Sequence, residues 1–292
     1  METRYDYVSD DKSRIQGAIR VDFAINTFAG FDVIGLLSTG EKFSSRWSTL
    51  HSFNNPETDL EMNLRRIYIQ KEYRALKFQF GSIPPVKGDV SSTGLDPAGW
   101  IDGGRATVDF GDGKIELVGG NFSNFSNPNI FTRAENFDFN YLELEVSHQI
   151  SDVFSYEFSY EHIDEIPFLR AETRLNLKPW LGHTVSFVGE GLANTENGAL
   201  IWGPTIAFDV LELVAPSWKG YLRFKAFYSV ASEDVGLRGA QSEDFIAFGR
   251  TMTFWLKGKI YKGFRWSFRA VTGDINRATV QLRYNFDAFA NR

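Results

Sequence analysis

Hydrophobic and polar positions alternate along most of this chain. In the stretch RIQGAIRVDFAIN (14 to 26), Ile15, Ile19, Val21, Phe23 and Ile25 share one face of an extended backbone, and Arg14, Gln16, Arg20, Asp22 and Asn26 share the other. Residues two apart line one face of a strand, so this pattern predicts strands rather than helices. It recurs at 30–39, 76–81, 105–110, 114–120, 141–147, 154–162, 169–178, 184–191, 200–211, 221–229, 264–272 and 277–286. Less regular strands are expected at 2–7, 60–72, 137–140 and 245–257, with 99–104 as a lead-in. In 60–72 and 243–258 the phase is ambiguous, because Arg65, Arg66 and Arg250 each break one of the two alternations.

The connections alternate in length. Short turns fall near 27–29, 73–75, 111–113, 150–152, 179–182, 214–218 and 259–263, and longer loops at 41–59, 82–99, 121–136 and 232–244. Long loops on one side and short turns on the other are the habit of outer-membrane barrels. The count is about sixteen antiparallel up-and-down strands if METRYDY is the first, or fourteen if it is a tail, with both ends of the chain on the short-turn side. One domain, 1–292, is expected.

Composition decides which face points in. Aromatic residues make up 15% of a chain whose mean hydropathy is only -0.25. The apolar faces carry many of them, as in Phe154, Tyr156, Phe158 and Tyr160, or Phe264, Trp266 and Phe268. Two such faces packed together would give a soluble or surface-anchored β-sandwich, a binding protein for a glycan or a protein ligand, and that reading stays open. The strands show no edge protection by Pro or Lys, however, and Tyr and Trp gather toward strand ends as interfacial girdles do. The favoured reading is therefore a transmembrane β-barrel with apolar rings outward and charges in a water-filled lumen, since unpaired buried ions are costly. Around that wall Arg14, Arg20, Arg265, Arg269, Arg277 and Arg283 form a basic side, and Glu143, Glu145, Glu157 and Glu161 an acidic side about half a circumference away.

Other chemistry is sparse. No window reaches the roughly 18 to 20 apolar residues of a spanning helix. The net charge of -6 argues against nucleic acid as a partner. Cysteine is absent, and the four histidines stand at 51, 148, 162 and 183. Met1 is not followed by a charged and apolar leader, so any secretion signal is expected to have been removed or replaced. An outer-membrane hydrolase is a further alternative, but alternation sends the adjacent Ser147 and His148 to opposite faces and no G-x-S-x-G elbow occurs. HIDE (162 to 165) is read as a solvated loop in preference to a metal site. No catalytic residue, cofactor or metal is expected.

The segments LRRIYIQKEY (64 to 73), KFQFGSIPP (77 to 85), STGLDPAGWIDGG (92 to 104) and VQLRYNF (280 to 286) resemble the general diffusion porins of Gram-negative outer membranes. VQLRYNF is similar to the aromatic-ended last strand of that family, although the chain continues DAFANR, so that Phe286 or Phe289 would be the equivalent residue. The resemblance implies sixteen strands, a homotrimer in outer-membrane lipid, and a third loop (82–99) folded into the lumen as a constriction. It also implies that Asp89 and Asp96 hang there opposite the arginines. Ordinary turn initiation is the alternative for both. The function so implied is passive diffusion of small hydrophilic solutes and ions.

Overall fold

The computed structural model describes residues 1–8, 13–27, 30–43, 45–52, 61–85, 93–122, 125–133, 138–177, 185–235, 238, 248–261 and 263–287. Its strands are β1 (Glu2–Val8), β2 (Arg14–Ala18), β3 (Arg20–Asn26), β4 (Asp32–Thr39), β5 (Ser48–Ser52), β6 (Met62–Tyr73), β7 (Leu76–Ile83), β8 (Ile101–Phe110) and β9 (Gly113–Asn121). After a single helical turn, α1 (Ile130–Arg133), follow β10 (Tyr141–Gln149), β11 (Phe154–Ile163), β12 (Ile166–Leu177), β13 (Val185–Asn194), β14 (Leu200–Asp209), β15 (Leu222–Ala231), β16 (Gly249–Tyr261), β17 (Phe264–Gly273) and β18 (Arg277–Tyr284). All belong to one antiparallel sheet, and β1 pairs with β2 on one side and with β18 on the other, so the last strand returns to the first. METRYDY is thus a wall strand.

Eighteen segments exceed the expected sixteen, and the pairing explains both extra ones. β2 and β3 are one run interrupted at Ile19. β4 pairs with β3, and β5 continues along β2, with Ser48 opposite Gly17. The join is held by Thr39, whose N–H donates to the Ile19 carbonyl at 3.0 Å and whose Oγ1 accepts the Ile19 N–H at 3.1 Å. β4 and β5 therefore form a single wall strand with an excursion between Thr39 and Ser48, and sixteen crossings remain.

The burial pattern settles the inside and the outside. On β10, Glu143 and Glu145 are 0% and 3% exposed, while their neighbours Leu142 and Leu144 are 44% and 49% exposed. The register carries this phase round the sheet: Glu143 lies opposite Glu161, Arg170 opposite Ser159, and Arg269 opposite Thr279. Apolar side chains coat the outer surface, including Phe78, Phe80, Phe158, Phe187, Trp202, Phe268 and Val280. Such a surface is far larger than the apolar patches of soluble monomers.

Three expectations need correction. The turn expected at 214–218 is a longer connection, 210–221, built on two 3₁₀ turns, Leu211–Leu213 and Pro216–Trp218. The segment expected as a strand at 137–140 is not one over its described residues, 138–140; the strand starts at Tyr141, and Asn140 instead accepts the Phe122 N–H on its Oδ1. The interior is not uniformly wet. At the long-loop end Phe43, Leu95, Trp100, Phe122 and Val235 pack against inward-facing Ile83, Ile101, Tyr141, Ile163, Leu192 and Ile201 as a dry cluster. HIDE forms a two-residue hairpin turn there, with Asp164 and Glu165 at φ of 47° and 70°, the mirror-type turn that matches strand twist.

Candidate functional site

The lined interior is the candidate site, and its most constrained part starts at an irregularity in β6. Across the β4 ladder Leu36 faces Arg66 while Leu37 faces Leu64, which leaves Arg65 as an extra residue. A bulge of this kind re-aims side chains. It turns both Arg65 and Arg66 inward, which is why neither alternation fitted this strand. Arg65 is fully buried, and its guanidinium donates to the carbonyls of Thr39, Gly40, Lys42, Ser45 and Ala98 at 2.7 to 3.3 Å. Arg66 donates to the carbonyls of Pro97 and Gly99 at 3.0 and 3.2 Å. Two adjacent cations thus hold the β4–β5 excursion and the end of the third long connection inside the barrel.

Trp100, also fully buried, takes the Arg65 and Arg133 guanidiniums at 5.7 and 4.2 Å from its ring centroid. Arg133, on α1, is fixed by Asp102 at 2.8 Å and by the Arg65 carbonyl at 2.7 Å. Burial pulls its affinity for a proton below the usual arginine range, and the Asp102 carboxylate acts in the opposite direction. Phe43 packs edge-on against Trp100, Phe122 and Phe125 with centroids 5.1 to 5.3 Å apart. Described parts of three connections therefore meet in one internal knot.

The third connection reaches across the lumen. Thr93 donates its hydroxyl to Glu190 on β13 at 2.8 Å and accepts from Arg170 on β12 at 3.1 Å. Its carbonyl accepts from Arg238 at 2.7 Å, and Arg238 in turn clamps Glu161 on β11 at 2.5 Å. Asp96 lies within this connection. Its Oδ1 accepts the Ala98 N–H at 2.7 Å, as in an ordinary turn, and its charge acts on Arg20, Arg65 and Arg66. Asp89 lies outside the described residues.

The inward carboxylates of β10 and β11 each meet a partner. Glu161 is sealed under Arg238, Glu157 pairs with Arg170, Glu145 lies 3.9 Å from Lys114, and Glu143 accepts the Tyr141 hydroxyl at 2.7 Å. Like charges stand directly opposite one another at Glu143 and Glu161 and at Glu157 and Glu172, an arrangement that needs such compensation. Several arginines of the basic side are paired with acids as well. Arg277 and Arg14 both pair with Asp6, at 2.7 and 3.0 Å, and Arg283 pairs with Glu2 at 2.9 Å. Arg20 pairs with Asp22 at 2.8 Å. The first strand supplies two of these acids, Asp6 and Glu2. Arg265 and Arg269 face inward beside Lys259 and Trp255 of β16.

Toward the short-turn end the interior opens. A cavity of about 690 Å³ is lined by Asp109, Asp112, Lys114, Glu145, Glu157 and Arg174 among others, and a second of about 340 Å³ shares Asp109 and Lys114 with it. Ser147 and His148 diverge as alternation required: Ser147 pairs with inward Glu157, and the His148 ring stacks at 6.0 Å on outward Phe110. Among the described residues no three His, Asp or Glu side chains are grouped to hold a metal ion.

No family model matches this sequence. No curated protein matches it either. Solved structures do. A five-substitution variant of Rhodopseudomonas blastica porin superposes with a TM-score of 0.59 at 10% identity, covering 98% of both chains. A triple variant of the same porin gives a TM-score of 0.60 at 9% identity, again over 98% of both chains. A double variant of OccD1 (OprD) gives 0.57 at 11% identity over 97% of this chain and 93% of that one. At these identities the likeness is one of architecture: the chain has the β-barrel fold of these porins.

Proposed function

We propose that this chain is a passive outer-membrane porin, a conduit for small hydrophilic solutes and ions that works without cofactor or turnover. The observation that carries the reading is the inverted surface: a continuous apolar coat outside, and charged residues from every part of the wall inside. Only a lipid surround favours such a coat, and only water or paired ions tolerate such an interior. The shared architecture with solved porins supports it. In this reading the inward arginines Arg14, Arg20, Arg265, Arg269, Arg277 and Arg283 and the carboxylates Asp96, Glu143, Glu145, Glu157 and Glu161 shape the field across the lumen. Asp89 belongs to the same constriction segment, 82–99. A homotrimer, by analogy with the family, is part of the proposal.

The test is reconstitution of the purified chain into planar bilayers. Stepwise, long-lived conductance that scales with bath salt supports the reading. A protein that stays monodisperse in plain buffer and gives no conductance overturns it and returns the β-sandwich binder to the front.

A further inference from the structure

A second feature of the wall lies on β15 to β17, where cationic side chains gather around one indole. Trp255 faces the lumen, an unusual place for an indole among charged neighbours, with Lys225 directly opposite it on β15 and Arg269 directly opposite it on β17. The Lys257, Arg269 and Lys225 cationic groups lie 4.7, 5.4 and 5.8 Å from its ring centroid. Arg223 stands opposite Lys257 across the ladder, and Lys257 is repelled in turn by Arg223, Lys225 and Arg265. Asp209, a carboxylate that acts on Lys257, already lies 3.0 Å from Arg223. The Trp255 indole N–H is buried and has no acceptor among the described residues.

Like charges placed opposite one another destabilise a sheet, and a cation over an indole recovers only about 0.5 to 2 kcal/mol. An anion would relieve the crowding and offer the missing acceptor. Ammonium and guanidinium groups around one indole donor present convergent N–H groups, the pattern that favours charge-assisted bonds to oxygen. We propose that Trp255, Lys225, Lys257 and Arg269 form a subsite for a small oxyanion, a phosphate or a carboxylate. The proposal rests on the porin reading only in that the ligand reaches the site from lumen water.

The test reads the site without needing conductance. Inorganic phosphate and malonate are titrated separately into the full chain in micelles, and the seven indole N–H resonances are followed; the one lost in Trp255→Phe belongs to Trp255. A saturable shift of that resonance, weakened about tenfold in Lys257→Gln, is expected, which corresponds to the loss of one charge-assisted bond. The tighter of the two anions names the ligand class. No shift with either anion, or an equal shift with magnesium chloride at matched ionic strength, overturns the subsite. The same preparation in planar bilayers separates the two claims. Conductance without the shift removes the subsite and leaves the porin, and the shift without conductance does the reverse. Unchanged dispersion of the amide spectrum in both variants shows that the barrel still folds.

Discussion

Arg65 offers the sharpest test of how the interior is held. Replacing it with Met keeps an unbranched side chain against Trp100 and removes every donor. Of the five carbonyls it serves, those of Thr39, Gly40 and Ala98 accept in fully buried bonds, and those of Lys42 and Ser45 in partly buried ones. Water replaces the partner of the last two at small cost. Each stranded buried acceptor costs about 1 to 3 kcal/mol. Three of them give about 3 to 9 kcal/mol, and since the excursion can move out toward water, we expect a loss near the lower end, about 4 kcal/mol. Arg65→Lys keeps up to three donors and is expected to lose about half as much. Two measurements follow. The urea midpoint of the refolded barrel, read by tryptophan fluorescence, is expected to fall by about 1 M or more for the Met variant and by less for Lys. Single-channel conductance is expected to rise and become noisier in the same order, because the excursion between Thr39 and Ser48 no longer fills the mouth. If both variants match the parent in midpoint and conductance, Arg65 does not hold the excursion and the knot is incidental.

Further expectations follow from the same geometry. Leu144→Arg places a charge on the apolar coat and is expected to cost about 2 to 4 kcal/mol of folding free energy into vesicles near the bilayer midplane, whereas Lys77→Gln, inward and half-exposed, is expected to be near neutral. Asp6→Asn removes the shared carboxylate of Arg14 and Arg277 at the seam between β1 and β18 and is expected to cost about 3 kcal/mol, read as a lower melting temperature of the heat-modifiable band on gels. Arg238→Met releases the Thr93 end of the third connection and bares Glu161, so conductance is expected to rise; an unchanged trace would mean that the crossing does not limit flow. Arg269→Glu combined with Arg283→Glu is expected to move the reversal potential under a potassium chloride gradient toward cation preference, and an unmoved potential would remove these residues from the selectivity mechanism.

The alternation carried the architecture because in this barrel it has no competitor. Each inward position is polar and each outward one apolar over most of a strand, so phase, turn side and crossing number are readable from residues such as Glu143, Leu144 and Glu145. It failed where the backbone departs from period two. Arg65 and Arg66 looked like an ambiguity, and were a signal: two adjacent cations that each break one phase mark a bulge that turns both inward. Arg250 was the same puzzle with a different answer, since it sits at the beginning of β16 opposite outward Val230, where its N–H bonds to Asp274 at 2.8 Å.

Charge pairing was less legible, for a reason that is physical and not statistical. A strand's phase tells which way a side chain points but not what comes to meet it. Glu161 and Glu190 point inward as alternation demands, yet whether they meet water or protein depends on Arg238 and Thr93, which lie in connections far away in sequence. Asp6 shows the converse. Its partners Arg14 and Arg277 lie on opposite flanks of β1, and they meet because the sheet returns on itself and brings residues 6 and 277 together. Closure therefore does more than remove edges: it turns the acids of the first strand into counter-ions for the arginines of the last. A field estimated from strand order alone overstates the basic side by those pairs and the acidic side by the groups the loops cover. The wall around Trp255 gathers Lys225, Lys257 and Arg269 on three neighbouring strands, and the electrical asymmetry of the lumen is expected to centre there instead of on the arginine run beside β1.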